Sequence, residues 1–180
     1  LLPLFDLVEE RAVEIATEAL AAFSERYQHH WLAGMRRKLG LFTDEPGDRA
    51  LIESLLTWMQ NSKSDFTNSF AGLRPVLAMD DDKRADNTFL QWHARWLARL
   101  AQQPQSLAES DELRRTQNPA FIPRNHLVEN ALAAAQQNDL SVMERLLDVL
   151  AAPYDHGRQA PEYGQPAPSG AAGYQTFCGT

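Results

Sequence analysis

Cys178 is the one thiol in a chain of 180 residues, and it stands third from the end, in Tyr174-Gln175-Thr176-Phe177-Cys178-Gly179-Thr180. A thiolate attacks disulfides and is oxidised stepwise, so it offers redox chemistry. A cysteine that only fills a core behaves as a small hydrophobe within packed elements. Cys178 instead ends a run of Pro and Gly that cannot pack as a helix. The sequence therefore points to an accessible, redox-active thiol. The plainer alternative is a surface cysteine in a frayed tail.

Four other sets of side chains have the right types for chemistry. Asp80-Asp81-Asp82 offers oxygen ligands for Mg²⁺ or Ca²⁺. It lacks the glycine and the distal Glu of a calcium loop and reads as a solvated connector. His29-His30 offers imidazoles, but neighbours on a helix point about 100° apart, and no His or Cys four residues on completes a metal site. His93, in Trp92-His93-Ala94-Arg95-Trp96, reads as a core or edge histidine. Arg124-Asn125-His126 stands at a helix start, where Arg forks onto carboxylates or phosphates. The preferred reading is a clamp from Arg124 to a neighbouring acidic residue. No glycine-rich phosphate loop, Gly-Lys-Ser/Thr, nucleophile elbow or kinase-type Lys/Asp/Asn set is visible. Catalytic, nucleotide-binding and metal-binding residues are therefore expected to be none in this chain.

The elements that carry these groups read as helices. Val8, Ala12, Ile15, Ala19, Phe23, Tyr27, Trp31 and Met35 step by three or four, giving a helix over about 6–39. Its acids come early and Arg36, Arg37 and Lys38 late, as the helix dipole favours, and Gly40 suits the C-terminal cap. Leu51, Ile52, Leu55, Leu56 and Met59 form the next apolar face. Ser64 is the expected cap of a short helix from Asp65 to Leu73. Another helix is expected over about 85–101, with Phe89, His93, Trp96 and Leu100 inward. Ser106/Glu109 and Ser141/Glu144 both read as capping boxes, and Pro123 suits the first turn of a helix reaching Gln137. Nothing alternates with a period of two.

These features predict an all-α fold of about six helices over residues 1–152, with an extended tail over 153–180. The last 28 residues hold four of the ten Pro and five of the nine Gly, and Tyr154, Tyr163, Tyr174 and Phe177 are the expected anchors onto the body. Apolar residues make up 44% of the chain, enough for a core. A formal charge of -7 argues against a nucleic-acid partner, and no apolar run reaches the roughly 20 residues of a membrane span. Leu1-Leu2-Pro3-Leu4-Phe5 has no initiator Met and reads as a cut through a longer chain.

The order of motifs carries a resemblance. Asp65-Phe66-Thr67-Asn68-Ser69-Phe70, Trp92-His93-Ala94-Arg95-Trp96, Asn118-Pro119-Ala120-Phe121-Ile122-Pro123-Arg124-Asn125-His126-Leu127-Val128-Glu129, Asn138-Asp139-Leu140-Ser141, Ala152-Pro153-Tyr154 and the terminal Phe-Cys-Gly-Thr follow one another in a way that resembles the C-terminal end of the selenoprotein O family, called YdiU in bacteria. The likeness runs from about Asp65 onward and more loosely over the first helix. It implies a kinase-like parent that transfers AMP from ATP, with Mg or Mn, to hydroxyl side chains of protein substrates (AMPylation). On this likeness the nucleotide and metal residues lie upstream, so the partner of this chain is the missing N-terminal catalytic part, and the expected compartment is the bacterial cytoplasm. Cys178 matches the place of a redox-active Cys or selenocysteine, which implies a disulfide to an upstream cysteine. The ending departs from relatives that close in Ser-Ser, because Gly179-Thr180 follows Cys178. A helical interaction module and a stand-alone thiol sensor remain the alternatives.

Overall fold

The computed structural model describes residues 4, 6, 8–74 and 86–168. Among the described residues there are eight helices and no strand: α1 Glu9–Lys38, α2 Asp48–Ser62, α3 Phe66–Ala71, α4 Asn87–Leu100, α5 Leu107–Gln117, α6 Asn125–Ala135, α7 Ser141–Leu150 and α8 Pro161–Gly164. The fold is all-α, as the periodicity predicts. The count exceeds six because α3 and α8 are short turns of helix.

The termination of α1 follows from Gly40. The Leu41 N–H donates to the Arg36 carbonyl at 3.0 Å and the Gly40 N–H to that of Arg37 at 3.0 Å, with Gly40 at φ +75°. This is the Schellman pattern, and the positive φ favours glycine. A Cβ on Gly40 would also meet the Ser110 carbonyl oxygen at 2.6 Å, so glycine is what lets α5 lie against the end of α1. Gln103 closes the joint by donating to the Gly40 carbonyl at 2.9 Å and to Ser110 Oγ at 2.7 Å.

The main core lies between the end of α1 and helices α2, α3 and α4. It contains Met35, Leu39, Ile52, Leu55, Trp58, Phe70, Phe89, Trp92, Trp96 and Leu100. Buried indoles need acceptors. The Trp92 Nε1–H donates to the Leu51 carbonyl at 2.8 Å and that of Trp96 to the Leu39 carbonyl at 2.9 Å. The two rings stack at 5.9 Å. His93 sits in this core, against Phe89 and Trp96, with Nε2 2.9 Å from the Arg74 carbonyl oxygen.

A second cluster joins the loop before α6 and the end of α7 to the chain that follows. Phe121, Val149 and Ala160 are buried there, with Ala120, Leu150 and Tyr163 against them. The Ala120 and Phe121 N–H groups both donate to the Pro153 carbonyl, at 2.8 and 3.2 Å. The first part of the expected tail is therefore docked on the body, with Tyr163 among its anchors. Tyr154 is half exposed and anchors little. Tyr174 and Phe177 lie outside the described residues.

Three helix starts differ from the sequence reading. Ser141 is the first residue of α7, not its cap, and its side chain makes no capping bond. Instead Asp139 Oδ1 accepts from the Ser141 N–H at 2.9 Å. Asp is as good an acceptor as Ser, and here it stands where the backbone turns. At α3 the cap is Asp65 rather than Ser64, accepting from the Asn68 N–H at 2.8 Å. Pro123 precedes the N-cap Arg124, so α6 begins two residues later than expected. The Ser106/Glu109 box is present in full.

Candidate functional site

The polar residues of the Asn118–Glu129 stretch form a joint between distant parts of the chain. Asn118 is buried. Its Nδ2 donates to the Lys38 and Arg114 carbonyls, both at 2.9 Å, and its Oδ1 accepts from Lys38 Nζ at 3.2 Å. Lys38 Nζ also donates to the Gln117 carbonyl at 3.1 Å and lies over the rings of Phe66 and Phe70. Burial lowers the Lys38 pKa from its ordinary value.

Six residues on, Arg124 forks onto Asp65. Its two terminal nitrogens reach Oδ2 at 2.9 Å and Oδ1 at 3.1 Å, and the second also reaches Asn68 Oδ1 at 3.0 Å. Asn68 Nδ2 in turn donates to the Gly164 carbonyl at 3.1 Å. One pair of side chains at the start of α3 thus holds both the start of α6 and the end of α8. The Asp65 pKa is depressed, first by the Arg124 hydrogen bond, then by the Asn68 N–H and the Arg124 charge, against the opposing effect of burial. The clamp reading of Arg124 is what the geometry has, and its fork is filled by protein oxygens. Asn125 is exposed and His126 half-buried, and neither shares the clamp.

Two further ionic nodes were not singled out in the sequence. Asp48, fully buried at the start of α2, accepts from Arg99 Nε at 2.6 Å and from its Nη2 at 3.2 Å, and from the Glu45 N–H at 3.0 Å. Arg36 pairs with Asp44 and stands 3.9 Å from Asp48. The signal was present: Arg99 lies three residues after Trp96, inside the apolar arc of α4, and a cation placed there needs a buried anion. Arg114 is the other node, buried under Trp96 at 5.3 Å and bonded to the Leu73 carbonyl and to Asp111. Burial pushes its pKa down to about 10, with Arg74 adding to the fall and Asp111 opposing it. Arg74, Asp111, Arg114, Arg115 and His156 line a crevice beside Phe70 that has no room for a water molecule.

The remaining sequence candidates do not converge. His29 and His30 are exposed on α1, with ring centres 5.5 Å apart and edge to face. Asp80-Asp81-Asp82 and Cys178 lie outside the described residues. Among the described residues no group of three or more His, Cys, Asp or Glu side chains is placed to hold a metal ion. No described helix is long and apolar enough to cross a membrane.

The fold and its joints define an all-α unit whose buried charges are engaged in holding helices together. Comparison with known families narrows this. The family described as "Protein adenylyltransferase SelO" matches residues 3–151. The chain belongs to the SelO family. The match begins far upstream of Asp65, so the likeness includes all of α1 and α2. Over 181 aligned residues, covering the whole chain, it is 46% identical to the protein nucleotidyltransferase YdiU of Syntrophotalea carbinolica, 44% to that of Bacillus cytotoxicus and 45% to that of Clostridium botulinum. It spans 37% of the length of each of these relatives.

Proposed function

We propose that this chain is the helical, non-catalytic part of a protein nucleotidyltransferase that moves AMP from ATP onto Ser, Thr or Tyr hydroxyls of protein substrates. The family match over residues 3–151 carries the reading, supported by the 44–46% identity to relatives named as nucleotidyltransferases. ATP and Mg²⁺ or Mn²⁺ belong, on this proposal, to the remaining polypeptide. Among the described residues, the forks of Arg114 and Arg124 are taken up by Leu73, Asp111, Asp65 and Asn68, which supports a structural rather than a phosphate-binding role for these two arginines. The role of this part is to position. It presents a rigid body to the catalytic part and carries Cys178, which would form a disulfide with a cysteine outside this chain. Two thiols then lose two protons and two electrons to an oxidant such as a small disulfide. The bacterial cytoplasm is the expected compartment.

The test uses ATP labelled on the α-phosphate, Mg²⁺ or Mn²⁺, and an acceptor protein. The full-length polypeptide containing this stretch should label the acceptor, and the 180-residue chain alone should not. Labelling by the short chain would overturn the division of labour. No transfer by the full-length polypeptide would overturn the activity.

A further inference from the structure

Among the described residues, the C-terminal end of helix α1 is joined to the main core, where Met35 and Leu39 are buried and Trp31 and Leu32 pack against it, and near the start of the helix the small side chain of Ala12 is buried. Upstream of Trp31, large apolar side chains face solvent: Val13 is 45% exposed, Leu20 75%, Phe23 63% and Tyr27 58%. They are not scattered. At about 100° per residue, Val13, Ala16, Leu20, Phe23 and Tyr27 fall within an arc of about 80° and run about 21 Å along the helix. The Phe23 and Tyr27 rings stack at 6.0 Å. Glu14, Glu18 and Glu25 occupy the opposite side, so α1 already has a face that suits water. A contiguous apolar patch of this kind marks a surface that another surface covers.

We infer that the Val13–Tyr27 stripe of α1 is the seat of the catalytic part of the same polypeptide. The inference rests on the proposed reading only for the identity of that part. The chain spans 37% of the length of its relatives, so most of the family's polypeptide lies outside this stretch and is tethered to it. A tethered surface meets the stripe at high effective concentration. A second copy fits the pattern poorly. Val13, Leu20 and Tyr27 space as one seam of a heptad, and Ala16 and Phe23 as the other, but the seams end in Gly34 and His30 after about two heptads. Self-association of helices calls for three or four. The covering surface is therefore apolar and in the same chain, and it leaves the acidic side of α1 to solvent.

Hydroxyl-radical footprinting of the full-length polypeptide tests this without reference to activity. Trp92 and Trp96 serve as buried references and Tyr154 as an exposed one. Phe23 and Tyr27 should label on the order of tenfold more slowly than Tyr154, because labelling follows solvent access. That protection should survive hundredfold dilution and be lost in Leu20→Asp/Tyr27→Asp for Phe23, while Trp92 stays protected. Labelling of Phe23 and Tyr27 at the Tyr154 rate overturns the inference. So does protection that disappears on dilution, which would mean a second copy. Protection with no AMP transfer leaves this interface standing and removes the proposed activity; transfer without protection does the reverse.

Discussion

At the scale of single residues, exposure decides which ion pairs matter. Asp48 is fully buried and takes two bonds from Arg99, whereas the Asp44 side chain that meets Arg36 is mostly exposed. Removing one partner of a buried pair strands the other charge, at a cost of about 3–5 kcal/mol. Asp48→Ala should lose about that much in urea melts, and Asp44→Ala no more than about 1 kcal/mol. Equal losses would mean that the buried pair is hydrated. Asp65 adds a pH dependence. Its folded pKa lies below the ordinary value because Arg124 bonds the ionised form. Its contribution is therefore complete above the unfolded pKa of about 4 and is lost as pH falls toward the folded value. Asp65→Asn should be less stable than the parent chain at pH 7, and the gap should narrow as pH is lowered below the unfolded value of about 4. A gap that does not change with pH would assign the Asp65 contribution to packing. That Arg99 and Arg124 need anions was legible, but which anions was not, because Asp48 and Arg99 stand 51 positions apart and Asp65 and Arg124 stand 59 apart.

At the scale of elements, periodicity located the helices, and side-chain competition set their ends. The apolar arc of α4 was legible in Phe89, His93, Trp96 and Leu100, which are all buried, but not in its full width, since Trp92 and Arg99 beside them are buried as well. The stripe read along α1 was legible as a helix but not as to its partner: Ala12 and Met35 in it are buried, whereas Phe23 and Tyr27 remain exposed. The two Ser/Glu pairs show why starts are harder. Ser106 precedes its helix and bonds the Glu109 N–H, with Glu109 returning to the Ser106 N–H at 2.8 Å. Ser141 has the same spacing to Glu144, but Asp139 turns the chain first and takes the acceptor role. Ser106→Ala should cost about 1 kcal/mol. Ser141→Ala should stay within about 0.5 kcal/mol, as expected of an exposed side chain without a capping bond. Thermal melts of the two variants side by side decide it. A larger loss at Ser141 would return the cap to the position its spacing suggested.

At the scale of the whole molecule, the joints set where the far end of the chain can act. Asn68 holds the Gly164 carbonyl, and Asn68 is itself held by Arg124. Cys178 follows Gly164 by fourteen positions. A chain of that length reaches at most about 50 Å, at roughly 3.6 Å per residue. Fixing its root on the body confines the thiol to that radius and raises its concentration near any cysteine within it. This is why the clamp bears on the proposed redox control although it holds no reactive group. In the full-length polypeptide, oxidation should change AMP transfer, and reductant should restore it. Cys178→Ala should remove that response while leaving the reduced activity unchanged. Asn68→Ala should keep the reduced activity but slow disulfide closure, because the root of the tail gains freedom. Activity with and without reductant, together with non-reducing mass mapping, reads both effects. If Cys178 stays a free thiol under oxidation and Cys178→Ala responds to oxidant as the parent does, the thiol has no part in control, and the clamp serves only to seal α6 and α8 onto α3.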